Sequence, residues 1–244
     1  MAESMRTLAI IPARGGSKRV PGKNRRDFAG TPLVAWSIRF ARSVPWFSTV
    51  IVSTDDDAVA AIAASEDLPV PFMRPADLSG DTATSVAVAC HALDFEAAAG
   101  REYDLVALLQ PTSPVRLMER WEAAYALIAN PGVDSVVGLA PARSHPYHAY
   151  SLAPGGGLEP FVAGGDDLRK QRSQDLPPAH CLAGNLYLTR SSVLRENYTF
   201  FPPRTAGVGC DKPFEAMDID TEEDWIVAET LTRYFRQQPW PRSS

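Results

Sequence analysis

No stretch of the 244-residue chain approaches the roughly 20 apolar residues of a membrane span. Only a few apolar residues separate Arg6 from Pro12, too few for the apolar core of a secretory signal. Cysteine is scarce: Cys90, Cys181 and Cys210 are odd in number and lack metal-ligand spacing, which suits a reducing compartment. A basic excess is missing too, with 24 Lys plus Arg against 29 Asp plus Glu and a net charge of −5, which argues against a nucleic-acid surface. Neither common phosphate loop occurs, since no GxxxxGK(S/T) and no GxGxxG is present. These absences predict a soluble, cytoplasmic protein. Its 45% apolar content can fill one sizeable core, so residues 1–244 read as a single domain with an excursion.

What is present begins at residue 8. Leu8, Ala9, Ile10 and Ile11 form a short unbroken apolar run, as expected of a strand buried on both faces. Pro12 ends it. The following loop carries Gly15, Gly16 and Gly22, which let backbone N–H groups approach a ligand, together with Arg14, Lys18, Arg19 and Lys23. Four cations in ten residues can be a mere solvated turn. Against an acidic chain, and after the first strand of an open α/β sheet, the cluster instead favours a polyanion in the crevice beyond the strand ends.

Strand and helix then alternate. Thr31 and Pro32 predict an N-cap and first-turn proline for a helix to about Ser43, and a strand follows at Thr49–Ser53. Asp56 is placed to cap an Ala-rich helix over 57–65, a Pro/Asp/Gly-bearing segment covers 69–82, and a helix runs from about Ser85 to Ala99. A strand at Leu105–Leu109 exits into QPTSPVR, before a helix at 117–129 and a strand at Val133–Leu139. This order predicts an α/β fold with a mostly parallel sheet flanked by helices. Residues 140–180 break the pattern with many Pro and Gly and two short apolar runs, which suit a projecting hairpin that packs on another subunit. Gly184–Thr189 returns to the sheet. Thr221 with Asp224 forms an aspartate variant of the capping box, opening a last helix to about Arg236, and QQPWPRSS reads as a loose tail.

Asp218 and Asp220 flank Ile219 at strand spacing, so both carboxylates face one side. Such a pair suits Mg²⁺, which takes one or two carboxylates plus phosphate oxygens and waters. Read by itself, Asp220 keeps a second reading, as a cap of the following helix with Thr221 and no metal. Joined to the basic loop, the pair would bracket a nucleoside triphosphate, and displacement of pyrophosphate then needs positioning and charge rather than a covalent nucleophile. Lys23, as a loop cation, is expected to be exposed and to contribute little to the core.

The block IPARGGSKRVPGKN resembles the signature of the CMP-sialic acid synthetase (acylneuraminate cytidylyltransferase) family. The similarity continues through STDD (53–56), RPADLSGDTATS (74–85), LLQPTSPVR (108–116) and DIDTEEDW (218–225). It implies a Rossmann-like fold of the nucleotide-diphospho-sugar transferase type, with 140–180 as a dimerisation arm and a homodimer as the working form. It also implies transfer of CMP from CTP to the anomeric hydroxyl of a nine-carbon acidic sugar, with Mg²⁺ and release of pyrophosphate. By the same resemblance Arg14, Ser17, Lys18 and Lys23 contact phosphate, with Arg14, Lys23 and Asp218 catalytic. Asn24, Arg74, Ala83 and Ser85 surround the nucleoside. Asp218 and Asp220 hold the metal; the base is not evident from the sequence, and Asp218 and a metal-bound hydroxide both stay open. On the acceptor side Gln110 and Arg116 face the sugar, Arg116 with a forked grip on its carboxylate. Tyr187, Phe200 and Phe201 form an aromatic wall. Read from the residues alone, each keeps a second reading beside the functional one: Arg74 as an exposed loop cation, Ser85 as an N-cap and the Phe pair as ordinary core.

The chain also departs from that pattern. Cys181, Leu182, Ala183, Gly184 and Asn185 stand where sialic acid enzymes carry an Arg-Pro-Asn-Gly run, with Gly184 and Asn185 still counted to the sugar side. His148 near Tyr147 replaces a lysine of the arm, and RSQDLP (172–177) looks more like the pseudaminic or legionaminic acid branches. Lost hydrogen-bonding groups change substrate discrimination by large factors. Three readings therefore stand: a nonulosonic acid cytidylyltransferase, the same reaction on another 2-keto sugar acid or a phosphonate, and a nucleotide-binding protein without turnover.

Overall fold

The computed structural model describes residues 5–237. Strand β1 (Thr7–Pro12) leads into the basic loop, a minute antiparallel pair β2 (Asp27–Phe28) and β3 (Thr31–Pro32), and helix α1 (Leu33–Ser43). There follow β4 (Phe47–Ser53), α2 (Asp57–Ser65), α3 (Ser85–Ala98), β5 (Leu105–Leu108), α4 (Met118–Ile128) and β6 (Ser135–Pro141). A hairpin of β7 (Tyr150–Leu152) and β8 (Leu158–Pro160) precedes the short α5 (Asp166–Arg169). The chain closes with β9 (His180–Arg190), α6 (Ser191–Asn197), β10 (Thr205–Gly209) and α7 (Glu222–Gln237). The expected loose tail lies, beyond Gln237, outside the described residues.

Six strands form one sheet in the order β10-β6-β9-β5-β1-β4. The pairings β1 with β4, β1 with β5 and β10 with β6 are parallel, while β9 runs antiparallel to both neighbours. Alternate residues of β1 serve the two faces. Ala9 and Ile11 pack with α1, α2 and α4 through Ile38, Val59 and Trp121, whereas Leu8 and Ile10 pack with α3 and α6 through Ala92 and Leu194. All four are fully buried, as an apolar run in a central parallel strand requires. Because the connections from β1 depart to opposite sides, to β4 on one flank and eventually to β5 on the other, a crevice opens beyond its carboxyl end.

A third apolar cluster lies outside the sheet. Val20 and Phe28 of the basic loop pack with Met217, Ile219 and Trp225, so the first and last stretches of the chain share one plug. Phe28 and Trp225 meet edge to face with centroids 5.4 Å apart.

Several local expectations are corrected. Thr31 does not cap α1: Pro32 occupies the N-cap position without a side-chain cap, because Thr31 and Pro32 are held in the β2–β3 pair. Thr84, not Ser85, caps α3, accepting from Ala87 N at 3.1 Å. The segment through Asp218 and Asp220 is irregular rather than a strand, and the Gly-bearing β10 takes the sheet edge instead. Asp224 accepts from Thr221 N at 2.9 Å and Thr221 Oγ1 from Asp224 N at 3.2 Å, a closed capping box.

Candidate active site

The basic loop is tied down at both ends. Ala13 N donates to Ser53 O at 2.9 Å and Gly15 N to Asp55 Oδ1 at 2.8 Å, fixing its first leg against the end of β4. A Cβ on Gly15 would lie 2.9 Å from Cβ of Asp56, so only glycine fits there. Asn24 is buried and donates from Nδ2 to Arg14 O at 2.8 Å, which pins the second leg to the first.

A cavity of about 430 Å³ opens beyond β1 and β5. The loop contributes Arg14, Ser17, Lys18, Lys23 and Asn24; the segment before and at the start of α3 contributes Arg74, Ala83 and Ser85. Gln110 and Thr112 close the side beyond β5, and Asp220 enters from the far end of the chain. Cations and carboxylate therefore share one space. Asp220 accepts from Arg19 Nη2 at 3.0 Å and stands 3.7 Å from Lys23 Nζ. Asp81 pairs with Arg14 at 3.0 Å and with Lys18 at 2.5 Å.

Lys23 is not the exposed cation expected of a loop. Its side chain is 11% exposed and its Nζ donates to Ile219 O at 2.7 Å. Burial pushes its ammonium below the ordinary lysine value, against the opposing pull of Asp220 and Asp218. Arg74 likewise is buried: its Nε donates to Ser53 Oγ at 3.0 Å and its Nη2 to Ser53 O, and burial brings it down to about 10.

Asp218 is exposed and lies outside the cavity lining, while Ile219 between the two aspartates points inward and its N–H donates to Thr112 O at 2.9 Å. Asp218 has no hydrogen bond or ion pair within the described residues. No group of three His, Cys, Asp or Glu side chains converges there as a metal cage either. Mg²⁺ does not need one, because it dehydrates reluctantly and is commonly held by one or two carboxylates plus phosphate. The donor set fits a metal shared with a polyphosphate and does not fit a closed structural site.

The acceptor side differs most from expectation. Arg116 offers no fork to the cavity: Nε donates to Asn185 O at 3.1 Å, Nη1 to Ser37 Oγ at 3.1 Å and Nη2 to Gln110 O at 2.6 Å. It is buried, which drives its guanidinium down to about 9, and it faces a separate cavity beside Trp36 and Phe40. Its place is behind the Gln110 loop, as a brace. Asn185 is also turned away, with Oδ1 3.5 Å from Cys210 Sγ. Gly184 has φ +76°, and a Cβ there would meet Ser113 Oγ at 2.7 Å. Tyr187 does meet Phe200 and Phe201, with centroids 5.8 Å and 6.1 Å apart; Phe200 is core and Phe201 exposed. Burial pushes the Tyr187 hydroxyl above its ordinary value, and the charge of Asp218 pushes it further the same way.

Residues 8–140 match the family model described as Cytidylyltransferase. The chain belongs to the cytidylyltransferase family. This cytidylyltransferase is 34% identical over 233 residues to the CMP-N,N'-diacetyllegionaminic acid synthase of Legionella pneumophila, covering 93% of its own length and 96% of the relative. It is 32% identical over 227 residues to the pseudaminic acid cytidylyltransferase of Campylobacter jejuni, covering 93% and 96%. Among solved structures it is similar to a CMP:2-keto-3-deoxy-manno-octonic acid synthetase complexed with CTP, with TM-score 0.66, 18% identity, and 94% and 99% of the two chains covered. That likeness bears on the fold. No helix among the described residues is long and apolar enough to cross a membrane.

Asp81 is a cavity residue with no place in the reading from sequence, and Arg19, there one of the loop cations, is spent on Asp220. Asp81 lies within RPADLSGDTATS, and only the fold reveals that it pairs with Arg14 and Lys18.

Proposed function

We propose that this cytidylyltransferase transfers CMP from CTP to the anomeric hydroxyl of a nine-carbon acidic sugar, an N-acylneuraminate or a related nonulosonic acid, and releases pyrophosphate. One observation carries the reading: Arg14, Lys18 and Lys23 from one end of the chain and Asp220 from the other line a single cavity whose third side is Gln110 and Thr112. The nonulosonic class is supported by the relatives, whose names specify legionaminic and pseudaminic acids.

In this reaction the sugar oxygen forms a bond to the α-phosphorus, the bond from that phosphorus to the β-phosphate bridging oxygen breaks with its electron pair leaving on pyrophosphate, and the hydroxyl proton passes to a base, for which Asp218 is this chain's candidate. Arg14, Ser17 and Lys18 hold the phosphate oxygens. Lys23, anchored on Ile219 O, is fixed before the substrate arrives and costs no reorganisation as charge develops. Asn24, Arg74, Ala83 and Ser85 surround the nucleoside. Asp220, with Asp218 beside it, would hold Mg²⁺, which when bound neutralises phosphate charge and polarises the α-phosphate. Gln110 faces the acceptor, Gly184 lets β9 approach its loop, and Tyr187 with Phe201 forms an apolar wall for acyl substituents. Arg116 and Asn185 support this side from behind.

The chain works as one catalytic unit in the cytoplasm, and residues 140–180 join two copies. The hairpin within it exposes Leu152, Leu158 and Phe161, which are 74%, 65% and 76% accessible. Pyrophosphate release is the test, with CTP, UTP and ATP against sialic, legionaminic, pseudaminic and shorter 2-keto acids, with and without Mg²⁺. Turnover with CTP and a nine-carbon acid is expected; preference for a shorter acid or a phosphonate would move the acceptor class, and no turnover with any acid would leave a nucleotide-binding protein.

A further inference from the structure

Asp81 is a carboxylate set among the cations of the cradle. Its Oδ1 lies 3.0 Å from Arg14 Nη1 and its Oδ2 2.5 Å from Lys18 Nζ, two side chains assigned above to the triphosphate. Its carrier segment makes the contact informative. On one side Arg74 is buried, with its N–H on Thr54 O at 2.7 Å and its guanidinium on Ser53. On the other, Thr84 caps α3. Between these anchors no residue from 75 to 83 is buried. The segment's backbone bonds close on themselves, Leu78 on Pro75, Ser79 on Ala76 and Ala83 on Gly80. Among the described residues, Asp81 supplies the hydrogen bonds and ion pairs that fasten this strap to the rest of the chain.

We propose that Asp81 is a tethered counter-ion, which occupies Arg14 and Lys18 until a polyphosphate displaces it and so sets how tightly CTP and pyrophosphate are held. The inference rests on the reading that this cradle takes a triphosphate. Carboxylate and phosphate oxygens compete for the same donors, and a side chain on a strap competes at a fixed effective concentration. Lys18 and Arg14 hold the Asp81 carboxyl below the usual aspartate range, which favours its charged form. Exposed ion pairs are individually weak, so Asp81 moderates binding without blocking it. On the product side the same carboxylate returns to the cations as pyrophosphate leaves.

The test is calorimetric titration of the full chain and of Asp81→Asn with CTP and with inorganic pyrophosphate, at low and at high salt. The variant is expected to bind pyrophosphate about three- to tenfold more tightly, as loss of two exposed pairs implies, and to show slower pyrophosphate release. Amide exchange across 76–83 should be faster in Asp81→Asn than in the wild type, and pyrophosphate should accelerate it in the wild type. Equal or weaker binding by the variant, or strap amides slowed by pyrophosphate, overturns the counter-ion. Failure of the wild type to bind CTP overturns the cytidylyltransferase reading beneath it, an outcome distinct from an unchanged variant.

Discussion

Lys23 Nζ donates to the backbone carbonyl of Ile219 at 2.7 Å, so a side chain from the basic loop is anchored on the residue that separates Asp218 from Asp220. Replacing Lys23 by Met keeps the buried stem and removes the charge. Turnover should fall by about 10²–10³, the usual cost of losing one preorganised donor to developing charge. Leaving Ile219 O without its donor costs about 1–3 kcal/mol, a thermal shift of several degrees. Steady-state pyrophosphate release and calorimetry on the same samples check this, and a turnover loss no larger than tenfold would remove Lys23 from the chemistry.

Asp218→Asn tests the metal assignment without disturbing the Arg19 and Lys23 pairs, which belong to Asp220. The Mg²⁺ concentration for half-maximal rate should rise and the maximal rate should drop by about two orders of magnitude, within the range for lost electrostatic stabilisation. Full activity at the wild-type Mg²⁺ optimum would reject the carboxylate pair as a metal site.

Gly184→Ala should report on the acceptor loop. Its φ of +76° disfavours any side chain, and the added Cβ would crowd Ser113 Oγ at 2.7 Å. Strain of about 1–3 kcal/mol is expected, with KM for the sugar acid raised and KM for CTP little changed. If both KM values rose together, Gly184 would act on the whole cavity rather than on one wall.

The hairpin offers a test of assembly. Leu152→Asp with Phe161→Asp alters two exposed apolar side chains and no buried one, so the fold should survive. Light scattering should show dimers giving way to monomers; dimers that persist would place the interface elsewhere.

Glu96 gives a pH signature of stability. It is buried, and hydrogen bonds from Arg101 above all, then from Tyr103, hold its carboxyl below the ordinary value of 4.5. A folded-state value below the unfolded one makes its contribution complete above about 4.5 and lost as pH falls through the lowered value. Thermal midpoints of wild type and Glu96→Gln should differ most near neutrality and converge in acid. A gap that stayed constant down to pH 3 would assign the effect to packing.

Much of the framework could be read directly. The apolar run at β1 and the alternation through β6 predicted the layers, because central strands buried on both faces have few other ways to be written. Strand β10 was missed since TAGVG, with two glycines in five residues, has little intrinsic strand preference. Its edge position is set by pairing with β6. The antiparallel course of β9 was hidden because the chain enters it from the hairpin excursion rather than from a crossover helix. At the site, the loop cations are visible as charge against an acidic background, and Asp220 through its spacing from Asp218. Arg116 misled: an arginine in a conspicuous loop looks like a carboxylate ligand, and only three-dimensional packing shows its donors spent on Asn185, Ser37 and Gln110. Asp81 was passed over because one acid in a polar loop carries no periodic or spacing signal.

The plug of Val20, Phe28, Ile219 and Trp225 has a consequence for synthesis. The loop after β1 is made before the other strands of the sheet, yet Ile219 and Trp225, which pack against it, are made only after β10. A chain cut before Ile219 retains all six strands of the sheet and loses packing partners of Val20 and Phe28, so the sheet is expected to form before the loop takes its shape.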